Sequence, residues 1–135
     1  MTYTFLYSNS LNGIGPSGGV EMDAHGNLYG TTWLGGSGGC TLGCGVVFEL
    51  SPPRHRSGAW TLAVLYNFQL QPDGSQPESA LVMDVAGNSY GTTVSGGTGH
   101  CGGGCGTVFQ LAPPAQKGRQ LESHWYTVQF YTNEF

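Results

Sequence analysis

GGSGGCTLGCGVVFEL occupies residues 35–50, and GGTGHCGGGCGTVFQL occupies residues 96–111, the same glycine-rich, two-cysteine phrase spelled twice at an offset of 61. The offset holds well beyond the phrase. Residues 23–53 align with residues 84–114, and 19 of the 31 positions are identical. Further back, Asn12-Gly13 falls on Asp73-Gly74, Pro16 on Pro77 and Met22 on Met83, and Phe5-Leu6-Tyr7 falls on Tyr66-Asn67-Phe68. After Pro113-Pro114 the register slips by one, so that Phe68 pairs with Phe130. An internal repeat of this length sets the architecture.

One repeat reads as four short strands. The first is Val20 to Asp23, with Leu81 to Asp84 its copy. A tight turn follows, in which Asp23, Gly26 and Asn27, repeated as Asp84, Gly87 and Asn88, are the structural residues. Glycine supplies the positive φ of such turns, and an aspartate side chain caps its own backbone N–H groups. Leu28 to Trp33 is the second strand and Gly45 to Leu50 the third, ended by a double proline that cannot donate to a ladder. Trp60 to Phe68 is the fourth, with Leu62, Val64 and Tyr66 alternating on one side. Gln69 to Ser79 reads as a polar connection. No segment carries a helical period over ten or more residues.

The expected fold class is all-β: two four-stranded antiparallel blades of the β-propeller kind, plus an orphan N-terminal strand. The organisation is a partial repeat at 1–19, a first blade at 20–80 and a second at 81–135. Tyr29, Tyr90, Phe48 and Phe109 recur in register and are expected to pack between blades. A closed propeller needs about four to eight blades. Two do not close a ring, so the chain reads as a fragment of a larger propeller, as one that closes by association of several copies, or as an open stack that covers its exposed edges in another way.

The composition excludes several classes. The net charge is −4 with only four basic residues, which argues against a nucleic-acid surface. No apolar run approaches the roughly 20 residues that cross a bilayer, so no membrane insertion by this segment is expected. The N-terminal MTYTFLYSNS has neither a basic region nor an apolar core, so it does not read as a secretory signal. The 24 glycines do not signal disorder, because they alternate with apolar runs such as Val46-Val47-Phe48 that can form a core.

The motif D-x-x-G-N-x-Y-G-T-T, then G-G, C-G-x-V-F-x-L-x-P, L-Y-x-F and D-G-x-x-P resembles the GloVer tandem repeat family, the bacterial choice-of-anchor repeat proteins. Residues 23–52 and 84–113 carry it in full, and Leu65-Tyr66-Asn67-Phe68 and Asp73-Gly74-Ser75-Gln76-Pro77 carry the rest. The resemblance implies a propeller-like fold in secreted or surface-anchored proteins with many more repeats. It implies no enzyme activity and no catalytic residue. The short repeat count and the lack of an anchor make this chain read as a piece of a longer protein.

Cys40 and Cys44 are four residues apart in a loop of small neighbours, and Cys101 and Cys105 repeat the spacing. A loop that doubles back brings such a pair within disulfide reach, and the surface-protein resemblance favours an oxidising compartment. The expectation is therefore two intra-loop disulfides in an extracellular or cell-surface protein. A zinc site built from the four cysteines with His100 beside them, or free thiols, are the competing readings, and the sequence leaves bonding between the two loops open. Calcium at the Asp23/Asn27 and Asp84/Asn88 turns is a further alternative, weakened by having a single carboxylate per turn. The glycine loops lack the G-K-[ST] ending of a phosphate loop. His25, His55, His100 and His124 occupy non-equivalent positions, and nothing nominates a catalytic constellation.

The candidate ligand-contacting residues are Trp33, whose counterpart is Val94, and the basic residues Arg54, Arg56, Lys117 and Arg119 that follow the two double prolines. An aromatic ring stacks on sugars, and a weakly basic rim attracts anionic glycans. The functional expectation is a non-enzymatic repeat module that binds a glycan or cell-surface protein or serves display, partnered by further repeats or by copies of itself. The second reading is part of a propeller enzyme acting on glycans, its site completed by other blades. No resident cofactor is expected.

Overall fold

A computed structural model describes residues 12–114 and 127–131 of the chain. The expected strand at residues 1–9 lies outside them. All regular elements among the described residues are strands: β1 (Glu21–Met22), β2 (Leu28–Thr32), β3 (Val46–Ser51), β4 (Thr61–Asn67), β5 (Gly74–Ser75), β6 (Val82–Met83), β7 (Ser89–Thr93), β8 (Ser95–Gly96), β9 (Thr107–Ala112) and β10 (Thr127–Tyr131). They form two four-stranded antiparallel sheets, β1-β2-β3-β4 and β6-β7-β9-β10, and one small pair, β5-β8.

The two sheets repeat each other in register. Leu28 faces Leu50 and Gly30 faces Phe48 in the first; Ser89 faces Leu111 and Gly91 faces Phe109 in the second. The glycine opposite each phenylalanine has a steric cause. A Cβ on Gly30 would lie 2.7 Å from Phe48 Cζ, and one on Gly91 would lie 2.5 Å from Phe109 Cζ. Each ring lies across its neighbour strand, where only a residue without a side chain leaves room. The connection between β1 and β2 is set by Gly26, whose φ of 82° falls in the left-handed region, and Gly87 repeats it at 84°.

The sheets stack through one apolar seam. Tyr29 and Val47 of the first sheet, with Cys44 and Phe68, bury against Leu81, Phe109 and Leu111 of the second. Phe68 meets Phe109 edge-on at 5.2 Å between ring centroids, and Tyr66 meets Phe130 at 5.7 Å. Such contacts add to the area they bury. A second cluster, Val46, Phe48 and Leu50 backed by Leu28, Trp60, Leu62 and Val64, lies on the other face of the first sheet.

Four expectations change. A bulge in the β3–β4 ladder pairs Val47 with Tyr66 but Phe48 with Val64, so Leu65 is the extra residue. Tyr66 is thereby turned to the seam, away from Leu62 and Val64. Of the four recurring aromatics, Tyr29 and Phe109 belong to the seam, Phe48 belongs to the opposite cluster, and Tyr90 is half-buried on the outer face of the second sheet. One seam between two sheets uses one face of each, so equivalent residues part company. The first strand of each repeat is two residues long. Residues 69–79 are more than a polar connection: they include β5 and bury Asp73, Ser75 and Pro77.

The 61-residue offset also extends into the N-terminal segment. β5 pairs Ser75 with Ser95, and Ile14 bridges Leu34 in the same sense. Residues 12–15 thus attach to the first cysteine loop as residues 73–76 attach to the second.

Candidate functional site

Strand direction sorts the nominated residues to two ends. The cysteine loops, Trp33 and residues 69–79 gather at one end; the Asp/Asn turns and the loop carrying Arg54 and Arg56 gather at the other. Lys117 and Arg119 lie outside the described residues.

At the cysteine end the loops are tied together by main-chain bonds. Gln76 N donates to Cys44 O at 2.8 Å, Val94 N to Gln76 O at 3.2 Å and Phe68 N to Gly45 O at 3.1 Å. Both cysteine pairs are bonded within their own loops, Cys40–Cys44 and Cys101–Cys105, each with Cα atoms 5.1 Å apart. No free cysteine remains among the described residues. Sulfurs joined to each other are not thiolate ligands, so the zinc and free-thiol readings fall. In each loop the amide of the first cysteine donates to the sulfur of the second, at 3.2 Å for Cys40 N to Cys44 Sγ and 3.3 Å for Cys101 N to Cys105 Sγ.

The two bridges differ in surroundings. Cys44 is fully buried beneath Phe68, whereas Cys101 is exposed and Cys105 half-buried. Trp33 is exposed, and its backbone N–H donates to Gly15 O at 3.0 Å. Arg54 and Arg56 are exposed on the far end and do not converge with Trp33 on a common site.

The Asp turns are saturated by their own donors. Asp23 accepts from His25 N (2.8 Å), Asn27 N (2.9 Å), Asn27 Nδ2 (2.8 Å) and the Tyr29 hydroxyl (3.1 Å). Asp84 repeats the set with Ala86 N, Asn88 N, Asn88 Nδ2 and the Tyr90 hydroxyl. Burial pushes the Asp23 carboxyl up, but the bonds from Asn27, His25 and Tyr29 together bring it below the ordinary value. The Asn88 side chain chiefly lowers Asp84. Among the described residues no group of three or more His, Cys, Asp or Glu side chains is placed to hold a metal ion.

Sequence reasoning missed one polar pair. The buried Asp73 carboxylate accepts from the Tyr66 hydroxyl at 2.6 Å and from Gln69 N at 3.1 Å. A signal for it existed: Tyr66 and Asp73 align with Phe5 and Asn12, so the hydroxyl and the carboxylate change together between repeats.

No helix among the described residues is long and apolar enough to cross a membrane. Paired disulfides are compatible with an extracellular location. Comparison with known proteins finds no match, whether to a family model, a curated protein or a solved structure.

Proposed function

We propose that the chain is a non-enzymatic, extracellular or cell-surface repeat module of the GloVer kind, two blades of a bacterial propeller, whose outer sheet face receives another repeat or a copy of the chain. Its open rim serves protein or glycan binding or structural display. The carrying observation is an asymmetry between equivalent residues. Val47 is fully buried in the seam, while Val108, its counterpart, is 48% exposed, and Tyr131 beside it and Val82 on the same face are exposed too. A face that is a seam in one repeat and open in the next supports the view that the stack continues. The disulfide-stiffened loops support an oxidising location, and the Trp33 and Arg54/Arg56 surfaces are the places for a glycan to dock.

Sedimentation velocity across a wide concentration range, run beside a glycan array, tests the reading. Concentration-dependent association weakened by Val108→Lys supports stacking, and array signal weakened by Trp33→Ala or by Arg54→Ala supports glycan binding. A protein that stays monomeric throughout and leaves the array silent would remove both supports.

A further inference from the structure

We propose that the Cys101–Cys105 bridge is a site of thiol–disulfide exchange, at which a low-molecular-weight thiol is captured covalently on Cys101, while the equivalent Cys40–Cys44 bridge exchanges far more slowly. The sequence treats the two bridges as copies, but the fold does not.

Cys44 is fully buried in the seam cluster, and Cys40 packs against the same cluster. The Phe68 carbonyl closes over this loop so tightly that a Cβ on Gly38 would collide with it, and Cys44 Sγ lies 3.0 Å from that same position. Gln76 N clamps Cys44 O from the adjoining segment. Cys44 Sγ offers no line of attack without opening the core, and Cys40, half-buried against the same cluster, is more shielded than the exposed Cys101.

The second loop is built differently. Cys101 is exposed, and Cβ atoms placed on Gly102 or Gly103 would meet nothing within 4 Å, so solvent surrounds the tip. Cys105 is the more shielded member, half-buried where Cys101 is exposed, with Gly99 packed close to its sulfur. Access therefore selects Cys101 Sγ as the atom attacked.

The incoming thiolate forms a bond to Cys101 Sγ, the Sγ–Sγ bond breaks, and its electron pair leaves on Cys105 Sγ. That sulfur already accepts the Cys101 N–H at 3.3 Å, a bond that strengthens as negative charge develops there, and it then takes a proton from solvent. A second thiol attacking the mixed disulfide releases the Cys101 thiol and the oxidised dimer of the small thiol: two thiols are oxidised and one cystine is reduced. The second loop makes no seam contact through its cysteines, so its opening leaves the sheets stacked.

The test uses the oxidised 135-residue protein and reduced glutathione under native conditions, quenched with a maleimide. Trypsin separates the bridges, because cleavage at Arg54 and Arg56 lies between Cys44 and Cys101. The expected product carries glutathione on Cys101 and maleimide on Cys105. The 57–117 peptide should react at least about tenfold faster than the 1–54 peptide, at a rate insensitive to low urea. The variant Cys40→Ser/Cys44→Ser, if folded, should show the same rate at the second loop. Equal rates for the two bridges, glutathione on Cys105, or reaction only where urea unfolds the protein would each overturn the proposal.

Discussion

The Tyr66 hydroxyl donates to Asp73 Oδ2 across 2.6 Å and ties the last strand of the first sheet to the segment that leads into the second. Asp73 is buried and also holds Gln69 N with both oxygens. A hydrogen bond to a buried charged acceptor contributes more than a neutral one. Tyr66→Phe should therefore destabilise the protein by about 1–2 kcal/mol. Asp73→Ala should cost more, about 2–4 kcal/mol, because it strands the Tyr66 hydroxyl and the Gln69 N–H together. Urea denaturation of the singles and the double measures both, and the double should cost less than the sum. Strict additivity would mean the two groups do not act as a pair.

The same contact should appear in an alkaline titration. Burial, then the hydrogen bond to Asp73 and the charge of that carboxylate, push the Tyr66 phenol well above its ordinary value. A folded-state value raised above the unfolded one gives a contribution that is whole below about pH 10 and is lost as pH climbs through the folded value. Absorbance at 295 nm should show a late-titrating tyrosine that disappears in Tyr66→Phe, and the stability gap between wild type and that variant should narrow above pH 10. A wild-type titration identical to that of the variant, apart from one ordinary phenol, would contradict this.

At the acid end the Asp turns dominate. Asp23 and Asp84 are both held below their usual value, the first despite burial and the second chiefly by Asn88. Lowered carboxylates contribute stability that is present above about pH 4 and lost as pH falls through the folded value. Asp23→Ala and Asp84→Ala should each lower the melting temperature at pH 7 and match wild type more closely at pH 2–3. Melting curves across that window decide it, and a gap that persists unchanged in acid would place the effect in backbone geometry instead of charge.

Much of the fold was legible because its rules are local. A glycine at a fixed place in each hairpin turn, a double proline after each third strand and runs such as Val46-Val47-Phe48 each act within a few residues, and Cys40–Cys44 and Cys101–Cys105 close within their own loops. What escaped depends on neighbours distant in the chain. The bulge that turns Tyr66 to the seam is a property of the β3–β4 ladder and leaves no mark on the alternation of Leu62, Val64 and Tyr66. The difference between Phe48 and Phe109 arises only when one sheet lies on another, since the repeat makes them equivalent and stacking does not. Trp33 and Arg54 were nominated by chemistry alone, and their separation to opposite ends follows from strand direction, which no residue type announces.

The Tyr-Gly-Thr-Thr glycine should resist substitution for steric reasons. A Cβ on Gly91 would stand 2.5 Å from Phe109 Cζ and 2.9 Å from Leu81 Cδ2, both in the seam cluster. Gly91→Ala should cost about 1–3 kcal/mol through overpacking, and Gly91→Ala/Phe109→Leu should recover part of it by freeing the ring's place. Gly102→Ala is the control, since nothing lies within 4 Å of its Cβ position, and it should be close to neutral. Chemical denaturation ranks the three. A neutral Gly91→Ala would show that the ring moves aside without cost.

Val47 and Val108 put the stacking arrangement itself to the test. They occupy the same place in two copies of one sheet, yet the first is fully buried and the second is 48% exposed. A lysine at Val47 would sit unpaired in the seam, and burying an unpaired charge costs several kcal/mol. Val47→Lys should therefore fail to fold or melt far below wild type. Val108→Lys projects from an open face and should change monomer stability by no more than about 0.5 kcal/mol. Its effect should fall instead on self-association, which is why the two readouts must be taken together. Far-UV circular dichroism on melting gives the first and sedimentation the second. Equal damage from both lysines would mean that the outer face of the second sheet is covered within a single chain, and the continuing stack would then have no surface on which to begin.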